Sequence, residues 1–182
     1  ISNISNSMDN QKNVLEIVNE NYLNKMNSLD LKARKTDRNN IISMYSKSIR
    51  SMNKDERILI KNLFEEIKKI IFRNKKFKLM LKVPFRIYMF DGIENNYPHT
   101  HNNSILVPVN FNLTSNYNTL NTLIHEKLHI IQRFKKDNFY DLYENYWNFK
   151  KTKIPNLNII EKYSRSNPDG TDNNWVYSKN GI

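Results

Sequence analysis

The sequence predicts an α+β fold in which a helical N-terminal part precedes a small sheet and one chemistry-bearing helix. Three observations support this prediction. Apolar residues recur at helical spacing through the N-terminal third of the chain. Two short segments rich in aromatic and β-branched residues follow, as expected for strands. The clearest helical stretch comes after them and contains the motif HExxH.

Length and composition are those of a globular protein. The 182 residues are 38% hydrophobic and 26% charged, which fits one domain with an extension. We assign residues 1–36 to a polar, helical N-terminal extension and residues 37–182 to a catalytic domain. Because there is no cysteine, neither disulfides nor thiolate metal sites can form. Any metal must be held by histidine and carboxylate groups.

The net charge of +11 raises the question of anionic partners. The lysines are scattered in short groups and accompany no nucleic-acid motif, so they indicate solubility rather than nucleic-acid binding. A nucleic-acid-binding protein would instead show a steep salt dependence of binding. No apolar run approaches the roughly 20 residues that cross a bilayer, and no signal-peptide pattern opens the sequence. We therefore expect an intracellular protein without a membrane partner; the oligomeric state is not indicated.

The N-terminal elements follow from periodicity. Residues 1–10 are polar and predict a frayed tail. Helices are predicted over 14–26 and 41–52, the first only loosely amphipathic. A third helix, 53–71, has acidic residues in its first turn and a clear apolar stripe.

Two strands are predicted next, 83–90 and 104–111, with a turn at Asp91-Gly92. Pro108 cannot donate to a ladder, so the second strand is expected at the edge of the sheet. An extended peptide substrate could then pair antiparallel with it.

The C-terminal half is predicted to be mainly helical. Helix 118–136 is the strongest prediction in the chain, and a weaker helix, 139–150, follows it. A short helical piece and an Asn-Pro-Asp-Gly turn complete the tail.

The motif is His125-Glu126-Lys127-Leu128-His129. Histidines four positions apart share one helix face and can hold one metal ion, here Zn2+. Glu126, about 100° further round the helix, is placed to act as general base on a water molecule. The alternative is an ordinary amphipathic helix with two surface histidines. It is disfavoured because His125 and His129 lie outside the apolar stripe.

The third ligand is left open among three carboxylates. Asp169 is favoured because its tight turn would hold a carboxylate rigidly. Glu144 and Glu161, on predicted helices downstream of the motif, are the alternatives.

His99 and His101 precede the predicted edge strand. One of them is expected to bind substrate or stabilise an oxyanion. The alternatives are a polar loop that happens to carry histidines and a metal site with four histidines.

Several segments together resemble a known group. The runs ENNYPHTHNNSILVP, TLIHEKLHIIQR and RSNPDG, with DLKARK at residues 30–35, resemble zincin-like metallopeptidases of giant DNA viruses. The similarity covers roughly residues 30–182. It implies the ligands His125 and His129 and the catalytic Glu126, and it marks Asp169 and Arg133 as site candidates, Arg133 for substrate binding. The chain lacks the third histidine of metzincins, and GTDNNWVY only approximates the aspzincin segment GTxDxxYG.

The expected function is that of a zinc metallopeptidase acting on a peptide or protein substrate. The expected fold is zincin-like, a small sheet with an edge strand over the active-site helix. Another zinc-dependent amide hydrolase is the first alternative, since HExxH activates water whatever the acyl group. A catalytically silent binding protein of the same fold is the second. If the viral resemblance holds, the host cytoplasm or the virion is the expected location.

Overall fold

The computed structural model describes residues 14–73, 82–154, 156–163, 165–170 and 175–179, without the side chains of Leu157, Ile160, Glu161 and Trp175. The predicted tail 1–10 lies outside these residues. The helices are α1 (Glu20–Lys25), α2 (Ser28–Ala33), α3 (Ile41–Ser48), α4 (Lys54–Phe72), α5 (Tyr117–Phe134), α6 (Lys136–Asp141) and α7 (Leu157–Tyr163). The strands are β1 (Ile49–Arg50), β2 (Arg86–Phe90), β3 (His99–His101), β4 (Ser104–Pro108), β5 (Lys150–Lys153) and β6 (Trp175–Ser178).

The two long helices confirm the predictions made for them. Helix α4 begins at a capping box in which Asn53 and Glu56 satisfy each other's backbone N–H groups. The predicted helix 14–26 is instead interrupted, because Asn19 caps a new helix, α1. The predicted helix 41–52 ends earlier, at Ser48, where the chain turns into β1.

The main sheet has the order β1-β2-β4-β3. Strands β2 and β4 are parallel, and the outer strands β1 and β3 are antiparallel to their neighbours. The α+β class is therefore correct. The prediction that 104–111 forms an edge strand is wrong, because β4 lies between β2 and β3 and ends at Pro108. With both sides of β4 occupied, a substrate cannot pair with it.

Pro108 is tolerated inside the sheet because of where β3 ends. The last pair between β3 and β4 joins His99 to Leu106, so Pro108 lies beyond the reach of β3. On its other side, Pro108 pairs with Phe90 at the end of the parallel ladder. The consecutive apolar residues of β4 are typical of a strand covered on both faces, and they outweigh the proline as an indicator of position.

The sheet separates two cores, as its alternating side chains require. Ile105 and Val107 face α4 and α5, whereas Leu106 and Phe90 face the N-terminal helices. The first core contains Ile60, Leu63, Ile67, Ile71, Val83, Met89, Ile105, Val107, Leu123, Ile130 and Ile131. The second contains Val14, Ile17, Val18, Tyr22, Leu23, Met26, Ile41, Tyr45, Phe90, Ile93 and Leu106.

The predicted helix 139–150 is shorter than expected. Helix α6 passes into a π-helical turn, Leu142–Tyr146, and the chain then enters β5. Strand β5 pairs antiparallel with β6. Neither strand was predicted, although the alternating residues Trp175–Ser178 carry a strand signal.

Contacts cross the predicted domain boundary at residue 36. Arg34 makes an ion pair with Glu94 at 2.8 Å. Asp30 accepts hydrogen bonds from Ser166. The described residues of the assigned extension, 14–36, thus pack as part of the fold. No helix in the described ranges is both long and apolar enough to cross a membrane.

Helix α5 buries a lysine in the first core. Lys127 is only 5% exposed, and its ammonium group donates to the carbonyl oxygen of Val83. The same group lies 3.8 Å from the ring centroid of Phe85. Burial lowers the pKa of Lys127 from 10.5 to about 8.

The buried lysine predicts a pH-dependent stability. Between about pH 8 and pH 10.5 the folded, metal-free protein has lost a proton that the unfolded chain still holds. The free energy of unfolding should therefore rise with pH in this window, relative to that of Lys127→Met. Urea denaturation of both proteins at the two pH values measures this. Lys69→Met, which removes an exposed lysine of α4, is the control. If the stability difference between wild type and Lys69→Met rises with pH as steeply as that between wild type and Lys127→Met, the assignment to Lys127 is wrong.

Candidate metal centre

Helix α5 presents the HExxH residues His125, Glu126 and His129. Its start is fixed by Asn116, whose side chain accepts a hydrogen bond from the backbone N–H of Thr119 at 3.0 Å. The Nε2 atoms of His125 and His129 lie 3.0 Å apart on one helix face. Two nitrogens on one tetrahedral zinc ion, each at about 2.0–2.1 Å, lie roughly 3.3 Å apart. The two rings are therefore arranged as a ligand pair would be.

His129 is oriented by a neighbour one turn further along the helix. Its Nδ1 lies 3.1 Å from Oε1 of Gln132. Because an amide oxygen only accepts, Nδ1 carries the hydrogen and Nε2 keeps its lone pair. The Gln132 amide in turn donates to the hydroxyl of Tyr143 at 3.0 Å. Burial lowers the pKa of His129, which favours the neutral ring that a metal requires.

Asp169 reaches the same place from the C-terminal tail. One ligand atom from each of Asp169, His129 and Glu126 lies within 4.8 Å of the other two. Thr100 of β3 donates twice to Oδ1 of Asp169, from its backbone N–H at 2.7 Å and from its hydroxyl at 2.8 Å. These bonds fix the carboxylate against the edge of the sheet.

Glu126 lies in an environment that disfavours its charge. Burial, and then the carboxylate of Asp169, raise the pKa of Glu126 to about 8, while the guanidinium of Arg133 opposes the shift. Its Oε2 is buried and has no hydrogen-bond partner among the described residues. The buried Glu126, the half-buried Asp169 and His129 are a donor set that a divalent cation stabilises. His125 is joined to this group through its contact with His129. The residues present therefore fit a zinc ion.

Arg133, predicted to bind substrate, joins two segments that flank the centre. Its Nη1 donates to the carbonyl oxygen of Asp169 at 3.2 Å, and its Nε donates to that of Asn102 at 3.1 Å. It thus ties the tail turn to the β3–β4 hairpin. A direct contact of Arg133 with substrate stays a prediction.

His99 and His101 are not brought to this centre. Both are buried, at 2% and 1% exposure, and both face the second core. The ring of His99 packs 4.8 Å from Phe90, and that of His101 packs 5.1 Å from Tyr22. Thr100, between them, points the other way, toward Asp169. Burial lowers the pKa of both histidines, so they are neutral at pH 7. Substrate binding by them stays a prediction that this burial does not favour.

The alternative third ligands differ in placement. Glu144 is exposed on the π-helical turn and is not part of the group formed by Glu126, His129 and Asp169. Glu161 belongs to α7, but its side chain lies outside the described residues. Of these alternatives, only Asp169 is found beside His129 in the described part of the chain.

Two contributors were not anticipated from the sequence, Thr100 and Tyr143. Thr100 could have been inferred, since strand alternation places it opposite two histidines. Tyr143 could not, because its contact with Gln132 depends on the π-helical turn that follows α6.

A cavity of about 300 Å³ opens beside the centre. His129 and Asp169 form one side of it, so it is continuous with the predicted ligands. The lining residues are His129, Gln132, Lys136, Phe139, Tyr140, Tyr143, Asn167, Asp169, Gly170 and Tyr177. Its size and mixed aromatic and polar walls are those of a small ligand pocket.

Comparisons with models of protein families, with curated proteins and with solved structures yield no match to this chain. What the centre does must therefore follow from its own residues.

We expect the purified protein to bind about one zinc ion per chain. Asp169→Asn should weaken binding by more than the roughly 10–100-fold that loss of an outer-shell partner causes. Glu144→Gln, a change of the same chemistry at an exposed position, is the control. Zinc content and chelator competition measure both effects. Stoichiometric zinc in the double variant His125→Ala/His129→Ala would refute the ligand assignment.

Proposed function

We propose that this chain is a zincin-like zinc metallopeptidase. In this proposal His125, His129 and Asp169 hold Zn2+, and Glu126 is the general base. The observation that carries it is the 3.0 Å separation of the two Nε2 atoms, together with the position of His129 beside the carboxyl groups of Asp169 and Glu126.

Three protein ligands and one open position are what a catalytic zinc site needs. His125 is exposed, whereas Glu126 is buried, so one side of the centre is open to solvent while the carboxyl side is enclosed. When bound, zinc lowers the pKa of a coordinated water to about 7 and polarises a carbonyl oxygen.

The residues of the chain supply the proton transfers. Glu126 is one residue from His125 on the helix, too far round to share its face but close enough to reach the attacking water. Its Oε2, which has no partner among the described residues, accepts the proton of that water. Glu126 then hands the proton to the leaving amine. The hydrogen bond that Asp169 accepts from Thr100, and the one that His129 donates to Gln132, keep both side chains aligned during these proton transfers.

The substrate class follows from the reaction and from the cavity. The attacking water and the general base act on an acyl group, and the proton that Glu126 hands on is the one that an amine needs in order to leave, as in a peptide bond. The cavity beside His129 and Asp169 has room for a side chain next to the scissile bond. The same centre would also hydrolyse other amides, and the test below separates these two cases.

The test is Glu126→Gln. This variant should keep its zinc, because Glu126 moves protons and holds no metal in the proposal. Its rate should fall by roughly 10²–10⁴-fold, the usual contribution of general acid–base catalysis. A quenched fluorescent peptide library reports the rate, and elemental analysis reports the zinc. Glu144→Gln is the matched control and should hydrolyse the library at the native rate.

Three outcomes would count against the proposal. Native hydrolysis by Glu126→Gln would remove Glu126 as the base. Activity toward small acyl amides without activity toward peptides would favour an amidase. Zinc binding with no hydrolysis of either class would favour a binding protein.

A further inference from the structure

Asp30 is a fully buried carboxylate far from the metal centre in sequence. Its Oδ1 accepts the backbone N–H of Ser166 at 2.8 Å, and its Oδ2 accepts the hydroxyl of Ser166 at 2.7 Å. Oδ2 also closes the capping box of α2 by accepting the N–H of Asn27 at 3.0 Å. Arg34 pairs with Oδ1 at 3.4 Å. Four donors thus surround one buried carboxylate, of which two come from the C-terminal tail.

Ser166 directly precedes the turn Asn167–Gly170, whose third residue is the predicted ligand Asp169. The Asn167 side chain accepts the N–H of Asp169 at 3.0 Å, and the Asn167 carbonyl accepts the N–H of Gly170 at 3.2 Å. Pro168 has a fixed φ, which suits the second position of such a turn. Because the turn is internally bonded and follows Ser166 directly, anchoring Ser166 restricts the positions that Asp169 can take.

The other bonds of this turn all lie at its far end. Thr100 and Arg133 hold Asp169 itself. Residues 165–170 belong to neither a helix nor a strand. The bonds from Ser166 to Asp30 anchor the start of the turn.

We infer that Asp30 is a positioning residue for the metal ligand Asp169 and acts through Ser166. The inference rests on the proposed function, since it presumes that Asp169 binds zinc. With Asp30 in place, the turn is ordered before the metal arrives. Binding then does not have to supply the free energy of ordering it. Asp30, which lies in the segment assigned to an extension, therefore contributes to the centre without being one of its ligands.

An amide cannot replace this carboxylate. Asp30 offers two accepting oxygens to four donors, whereas asparagine offers one oxygen and an NH2 group that is itself a donor. In Asp30→Asn at least one donor from Ser166, Asn27 or Arg34 would face the NH2 group. The start of the turn would then be less well fixed.

The chain offers a matched control in the capping box of α4. Asp30 and Glu56 are both the third residue of a helix capped by asparagine, and both pair with an arginine. Glu56→Gln therefore makes the same carboxylate-to-amide change in the same motif, with Arg50 rather than the tail turn as its other partner.

The experiment measures the zinc dissociation constant of the full chain by chelator competition. It is carried out at a temperature where circular dichroism shows every metal-free variant to be folded. Asp30→Asn should bind zinc roughly 10–100-fold more weakly, as expected for loss of an outer-shell support. Ser166→Ala, which removes only the hydroxyl, should give a smaller loss in the same direction. Glu56→Gln should match the wild type.

Two further readouts separate positioning from a general loss of stability. The absorption spectrum of the cobalt(II)-substituted protein should change in Asp30→Asn and Ser166→Ala but not in Glu56→Gln, because it reports ligand geometry. The double variant Asp30→Asn/Ser166→Ala should bind zinc no more weakly than Asp30→Asn alone, because both changes act through one contact.

The outcomes distinguish the two levels of inference. A wild-type protein that binds no zinc, or an Asp169→Asn variant with native affinity, would overturn the proposed ligand set and the positioning role with it. Native affinity and an unchanged cobalt spectrum in Asp30→Asn, with Asp169→Asn impaired, would overturn the positioning role alone. If Asp30→Asn fails to fold, Ser166→Ala is the deciding variant. Native zinc affinity and an unchanged cobalt spectrum in Ser166→Ala would then overturn the positioning role of Asp30.

Discussion

The paired hydrogen bonds from Thr100 to Asp169 are the contact on which the centre depends. Strand β3 lies at the edge of the main sheet, and the backbone N–H of Thr100 is not used by the ladder with β4. Asp169 satisfies that outward donor and the neighbouring hydroxyl with a single oxygen. An exposed edge is a hazard that folds commonly cover. Here the segment that covers it also brings a carboxylate to His129 and Glu126 of α5, so the same contact protects the edge and assembles the candidate site.

The parts of the fold that depend on local pattern were predictable from the sequence. Helix α5 follows from its periodicity and from a side-chain cap, and its i, i+4 spacing alone places His125 beside His129. Asp169 could be suggested because an Asn-Pro-Asp-Gly sequence forms a tight turn wherever it lies. The position of β4 could not be predicted in this way. Strand order depends on non-local pairing, and Pro108 was interpreted without knowing where β3 ends.

The hydrogen bonds between Asp30 and Ser166 show a second limit of prediction from the sequence. Both residues are common polar types, and neither has a local pattern that predicts a distant partner. Asp30 reads locally as the acid of a capping box, which it is. Only the fold reveals that the same carboxylate also holds the tail. Polar residues that close long loops are therefore where inference from sequence is weakest, because the partner is chosen by topology rather than by spacing.

The N-terminal helices also support the turn that leads into β3, the strand from which Thr100 bonds to Asp169. Residues Glu94–Asn96 form a turn with φ of 47°, 53° and 56°, a left-handed conformation that costs roughly 1–2 kcal/mol per residue for most residue types. Asparagine tolerates it, whereas Glu94 has no such preference. The carboxylate of Glu94 offsets the strain by accepting from Arg34, with the closest contact at 2.8 Å, and from the hydroxyls of Tyr22 and Tyr45.

The strained turn leads directly into β3, which carries Thr100. Arg34 contacts both Glu94, before that strand, and Asp30, which holds the tail turn. One guanidinium therefore links the two segments that meet at Asp169. Charge-assisted bonds of this kind contribute about 1.5–3 kcal/mol each when buried, enough to hold a strained turn in one conformation. The polar contacts of Arg34 thus contribute to how rigidly Asp169 is held beside His129 and Glu126.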